Sequence, residues 1–138
     1  MAAPTPVTYT EWNGTRGMTY WRAEWSTGDQ ITDGVVVDIS GLGAPVPNSV
    51  RVIGAKCAIN GDVEATLEFD ATTDQLIYVF EGQTDASLVD VVDFREGPNG
   101  GRSPNPGAAG FVGDLLITTA NAASGDEITV LVFYERKT

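Results

Sequence analysis

The feature that most restricts this chain is its punctuation. Short β-branched or aromatic runs recur roughly every ten to fifteen residues, ended by Gly, Asn-Gly, Ser-Gly or Pro, and no long helical pattern interrupts them. Such strands cannot bury themselves singly and need a second sheet to pack against. The expected fold is all-β: a single-domain antiparallel β-sandwich, jelly-roll-like, of about eight strands. At 138 residues the chain has the length of one domain and can bury roughly two thirds of its unfolded surface in a single core.

Met18 to Trp25 alternates, with Thr19, Trp21, Ala23 and Trp25 on one face and Met18, Tyr20, Arg22 and Glu24 on the other. Val35 to Ile39 is a second strand, ended by Gly41-Leu42-Gly43-Ala44-Pro45. The clearest hairpin signal is Asn60-Gly61 between Val50 to Ile59 and Asp62 to Phe69, because those two residues tolerate the positive φ of a type I′ turn. That turn sets Ala58 opposite Val63, Gly54 opposite Leu67 and Val52 opposite Phe69 on an apolar face. Cys57 then faces Glu64 and Arg51 faces Asp70, with Lys56 opposite Ala65 as the flaw.

Ala71 to Asp74 reads as the next turn, followed by Gln75 to Glu81 with Leu76, Tyr78 and Phe80 on one side. Gly113 to Thr119 and Glu127 to Glu135, separated by Ser124-Gly125-Asp126, form the last hairpin-like pair. The segment Asp85 to Arg95 carries two patterns. Leu88, Val91, Val92 and Arg95 would line a helix capped by Asp85 and stopped at Gly97-Pro98, whereas Leu88, Asp90, Val92 and Phe94 alternate as in a strand; three valines favour the strand.

Two stretches stand outside this pattern. Residues 1–16 read as an N-terminal arm laid along the surface of the domain formed by residues 17–138. The segment 96–110 holds five glycines, three prolines and two asparagines, a loop of the length that is functional or disordered inside a compact domain. The sandwich is expected to stand without either.

Composition removes much chemistry. With no histidine, Ser-His and Cys-His nucleophile pairs and His-containing zinc sites are excluded, and one cysteine can form neither a thiolate cluster nor an intrachain disulfide. No phosphate-binding glycine loop or EF-hand series is present. The net charge is −11, and the six Arg and two Lys are scattered, so neither nucleic acid nor an anionic membrane is an expected partner. No run approaches the roughly 18 apolar residues of a membrane span, and the first ten residues do not read as a secretory signal. The lone Cys57 fits folding in a reducing compartment as a small packed side chain.

Carboxylate chemistry survives. Asp70 with Asp74, Asp29 with Asp33 and Asp90 with Asp93 have spacings that could offer oxygens to calcium, although Asp is also a common turn residue and none of the clusters has the density of a dedicated loop. No metal or cofactor is expected. Trp21 and Trp25, roughly 13 Å apart on one strand face, are read as core or interface anchors, with a sugar-stacking platform as the alternative. A carboxylate-dependent glycan hydrolase stands behind that.

The runs Ala65-Thr-Leu-Glu-Phe-Asp-Ala-Thr-Thr-Asp74, Asp93-Phe-Arg95, Pro104-Asn-Pro-Gly-Ala-Ala-Gly110 and Gly113-Asp-Leu-Leu-Ile-Thr-Thr119 resemble small virion proteins encoded beside the head genes of tailed bacteriophages. The resemblance implies a capsid decoration or cement protein, a non-enzymatic β-sandwich docked in many copies on the major capsid protein lattice. A tail or fibre component would look much the same. It further implies assembly in the bacterial cytoplasm, a place on the virion surface, and self-association, with a trimer favoured. The expected contacts come from the arm, through Val7, Tyr9 and Trp12, and from the glycine-rich loop, through Arg102 and Asn105.

Overall fold

A computed structural model describes residues 3–95 and 100–137; residues 1–2 of the expected arm, 96–99 of the expected loop and the side chains of 84–86, including the Asp85 helix cap, lie outside the described residues. Among the described residues seven strands follow in order: β1 (Val7–Trp12), β2 (Arg16–Glu24), β3 (Gly34–Val37), β4 (Val50–Phe69), β5 (Gln75–Asp93), β6 (Leu115–Ala120) and β7 (Glu127–Arg136), with one turn of 3-10 helix at Ile39–Gly41. Every strand pairing is antiparallel. The all-β sandwich follows, and the segment that could have been helix or strand is strand. Among the described residues no helix is long and apolar enough to cross a membrane.

The fold turns on β4, which does not break at Asn60-Gly61. Its first half pairs with β7 through Asn60↔Glu127, and its second half pairs with β6 from Glu64↔Ala120 onward. β5 runs beside β4 for almost its whole length. The sheet therefore folds over on itself. Sheet I is β1-β2-β7, the first half of β4 and the second half of β5; sheet II is β3-β6, the second half of β4 and the first half of β5.

The expected hairpin at Asn60-Gly61 does not form. A type I′ turn needs positive φ at both central residues, and here Gly61 has φ +107° while Asn60 is not among the positive-φ residues. Odd-numbered apolar positions, Ala55, Cys57, Ile59, Val63, Ala65, Leu67 and Phe69, run in phase through Asn60-Gly61 and are all buried. The strand can thus continue through a bend, each half filling the core from opposite sides. Two glycines make the corner possible. A Cβ on Gly82 would lie 2.3 Å from the Gly61 carbonyl oxygen, and one on Gly61 would lie 2.1 Å from Asp126 Oδ1.

The register changes accordingly. Cys57 faces the core and Ala58 faces out, the reverse of the hairpin expectation. At the start of β4 a bulge at Ile53 shifts the phase, so that Val50 and Val52 are buried on even positions and Ala55 onward on odd ones. A second bulge leaves Ile77 without a partner between Leu67↔Tyr78 and Glu68↔Leu76. Ile77 is buried and Leu76 exposed, so Leu76 does not share a face with Phe80. The turn at Ala71 to Asp74 stands, closed by the Ala71 N–H donating to Asp74 Oδ1 at 3.2 Å. β6 and β7 are not partners of each other; they sit in opposite sheets, joined across the Ser124-Gly125 turn.

Trp21, Val130, Val132, Ile128 and Tyr134 from sheet I meet Leu67, Phe69, Leu115, Ile117 and Phe80 from sheet II in one buried cluster. The arm is not an appendage. Residues 7–12 hydrogen-bond to β2 as an edge strand, Thr10 Oγ1 is 2.9 Å from Thr19 Oγ1, and Thr19 is 2.9 Å from the buried Tyr134 hydroxyl. Trp12 stacks on Tyr134 with ring centroids 6.0 Å apart. Residues 7–12 are thus the edge strand of sheet I, in contact with its core through Thr10 and Trp12.

Candidate functional site

The outward side of sheet I is where strand alternation places large apolar side chains in solvent. Register pairs Tyr9 with Tyr20, Met18 with Phe133, Tyr20 with Leu131 and Val91 with Lys56, so these residues share the outer face. The Ile53 bulge pushes one more apolar side chain into this surface beside Phe133. Two adjoining hollows result, of about 520 and 310 Å³, which share Ile53 and Phe133. Glu11, Arg16 and Met18 border the first, and Lys56, Val91, Asp93 and Arg95 the second.

Charges of both signs rim this groove and are mostly paired. Arg16 lies 3.7 Å from Glu135, which also accepts from Arg51, and Arg95 lies 3.1 Å from Asp93. Hydrogen bonds from Arg95 hold the Asp93 carboxyl below the ordinary carboxylate range, and Asp93 in turn raises Arg95. An apolar floor with a polar rim is the anatomy of a protein-binding patch.

The outward side of sheet II is different. Glu64 and Glu68 of β4 and Glu81 of β5 lie there, and the Asp33, Glu68 and Asp74 carboxylate oxygens lie within 4.8 Å of one another. Burial raises Asp33, and the charge of Asp74 raises it further, against a lowering hydrogen bond from Thr118. Glu68 is raised by burial, then by Asp74 and Asp33. Of the acid pairs weighed from spacing, the fold thus joins one member of Asp29/Asp33 to one of Asp70/Asp74 and adds Glu68. These three could face a single cation, since hard cations take carboxylate oxygens.

The expected contact residues do not form one patch. Val7 and Tyr9 are exposed on the outer face of β1, where the Tyr9 hydroxyl donates to Glu11 at 2.9 Å. Trp12 turns to the inner side, its indole N–H donating to the Pro45 carbonyl at 3.4 Å. Arg102 forms an isolated bridge with Val52, and its guanidinium sits 5.0 Å from the Phe94 ring centroid. Asn105 clasps Gln75, its N–H donating to Gln75 Oε1 at 2.8 Å and its carbonyl accepting from Gln75 Nε2 at 3.0 Å. Sequence reasoning missed Met18, Ile53, Phe133 and Val91. Large apolar side chains in the outward phase of amphipathic strands were the available signal for Met18, Phe133 and Val91; the Ile53 bulge left none.

Trp21 and Trp25 are both buried in the core, so they present no stacking platform to a sugar. The Trp25 indole N–H donates to the Asp29 carbonyl at 2.9 Å, whereas Trp21 Nε1 is buried without a partner among the described residues. The Cys57 thiol is pushed up to about 12 by burial and by the Asp90 charge, which leaves it packed and unreactive.

No protein-family model and no curated protein matches the sequence. Among solved structures, the chain is similar over its whole length to a subunit of the disulfide-linked pili of Bacillus endospore appendages, at 10% identity, 96% coverage of that chain and a TM-score of 0.34. It is also similar over 97% of its length to 42% of a chain from infectious bursal disease virus strain Gx, at 11% identity and a TM-score of 0.20. At those scores neither likeness carries an argument about fold or function.

Proposed function

We propose that this chain is a non-enzymatic structural protein of a virion, a decoration or cement protein that docks on the major capsid protein lattice of a tailed bacteriophage and resides on the capsid surface. The observation that carries the reading is the outer face of sheet I, with Met18, Ile53, Phe133 and Val91 as its floor and paired charges as its rim. Such a face loses little on desolvation and gains shape-specific burial against another protein. The acidic remainder of the surface, at a net charge of −11, favours a protein partner over nucleic acid or an anionic membrane. A chain without histidine, whose thiol is buried, supports the non-enzymatic part of the reading.

Co-sedimentation of the full chain with undecorated shells, with complete virions and with isolated tails tests this. Occupancy on shells is expected, reduced at least tenfold, or about 1.4 kcal/mol, by Phe133→Asp. Binding only to tails, or to none of the three, overturns the capsid assignment. Turnover of a glycan, ester or peptide that is lost when one Asp or Glu becomes its amide overturns the non-enzymatic reading.

A further inference from the structure

We propose that the second half of β5, Ser87–Asp93, is a seam through which two copies of this chain pair antiparallel, with the two-fold axis at Val91, so that sheet I continues from one copy into the next. The seam adjoins the groove that carries the capsid reading, since Val91 and Asp93 line that groove as well, but it rests on backbone pairing and is read out by self-association rather than by binding to shells.

The Phe94 N–H donates to the Ile53 carbonyl at 3.0 Å, and the register between β5 and β4 is unbroken from Gly54↔Asp93 to Asn60↔Ser87. In an antiparallel ladder, bonded and non-bonded pairs alternate, so Leu88, Asp90 and Val92 spend their backbone groups on β4. Ser87, Val89, Val91 and Asp93 turn theirs to the other side, where no strand pairs with β5 among the described residues. Two of these four also present large apolar side chains, Val89 at 63% and Val91 at 67% exposure.

Soluble sheets blunt such edges with bulges, prolines, lysines, short strands or a covering segment. The other edges of this molecule do so. β3 is four residues long with a bulge at Val36. β1 leaves open Thr8, Thr10 and Trp12, follows directly on Pro6, and has the Pro45 carbonyl against the Trp12 indole. The first half of β5 is bulged at Ile77 and clasped by Asn105 at Gln75. From 87 to 93 the chain reads Ser-Leu-Val-Asp-Val-Val-Asp, with no Pro, Lys, Gly or bulge.

The register selects the occupant. A two-fold pairing must set open residues against open residues, which the odd-numbered set satisfies with itself. With the axis at Val91, Val91 meets Val91, Val89 meets Asp93 and Asp90 meets Val92, and no carboxylate stands directly opposite another. With the axis at Asp90, Asp90 would stand opposite its own copy. The seam is about 24 Å long and buries far less than the roughly 800 Å² per partner of a stable complex, so the pair is weak and forms at high local concentration. Because both copies are strongly acidic, added salt strengthens it.

Sedimentation of the full chain from about 10 μM to about 1 mM is expected to show the mass doubling from 14.6 kDa, further toward dimer in added salt. Val91→Pro removes an N–H that faces away from β4, at an edge position where a strand tolerates proline, and is expected to stay monomeric with an unchanged circular dichroism spectrum. Should that variant unfold, Val89→Lys with Val91→Lys serves the same purpose on two exposed side chains. Spin labels on Val91→Cys, in a Cys57→Ala background, are expected to lie closer together across the dimer than labels on Ser87→Cys. A monomer at every concentration, a dimer unaffected by all edge variants, growth past the dimer into filaments, or labels closer at Ser87 each overturns the proposal.

Discussion

The two outer faces of this sandwich are built from the same strand alternation and end in opposite chemistry. Sheet I turns Met18, Tyr20, Leu131, Phe133 and Val91 outward, while sheet II turns out Glu64, Glu68 and Glu81 and gathers Asp33 and Asp74 against Glu68. The net charge of −11 is thus not a uniform coat. A partner that must strip water from the surface meets a lower cost on sheet I, and the repulsion stored on sheet II keeps that side in solvent. The acidity of the whole chain therefore says little about the chemistry of either face.

Both faces depend on the core that the two sheets share. Trp25→Ala empties a buried indole and removes its hydrogen bond to Asp29; a loss of about 3–5 kcal/mol is expected in urea unfolding. Gly82→Ala strikes the corner that keeps the two faces on opposite sides. Its Cβ would lie 2.7 Å from the Val63 carbonyl oxygen as well as against Gly61, and a loss of about 2–3 kcal/mol is expected in the same measurement.

Single-face variants sharpen the contrast. Phe133→Asp on sheet I should lower stability by less than about 1 kcal/mol in urea unfolding, as for a partly exposed position, while reducing co-sedimentation with shells at least tenfold. Glu68→Gln on sheet II should raise stability at neutral pH by a few tenths of a kcal/mol, since solvent screens these acids.

The pH dependence of that last effect has a definite sign. Asp33 and Glu68 are both raised above their ordinary values of 3.8 and 4.5, so the folded chain holds these protons more tightly than the unfolded chain. Their contribution is most favourable below those ordinary values and is lost as pH rises through the raised folded ones. Thermal melts of wild type and Glu68→Gln should therefore coincide at acid pH and separate upward of that window. Parallel curves at all pH values would show that the acids do not interact.

Much of the molecule is legible from residue order alone. The inward set Thr19, Trp21, Ala23 and Trp25, the turn at Ala71 to Asp74, the strand character of the valine-rich segment around Val91 and the extent of β7 all follow from side-chain period and turn chemistry, which act within a few residues. Pairing partners do not, because they depend on residues far away in the chain. Asn60-Gly61 has the composition of a turn, yet the in-phase apolar series on both sides and the fit of Gly61 against Asp126 and Gly82 make it a bend through which β4 serves both sheets. The groove needs Met18, Ile53, Phe133 and Val91 from four strands, and the acid cluster needs residues 33, 68 and 74 brought together by β3, β4 and the following turn. Period and propensity determine which face of a strand is apolar; only burial of both sheets at once decides which strands meet and what their outer faces assemble.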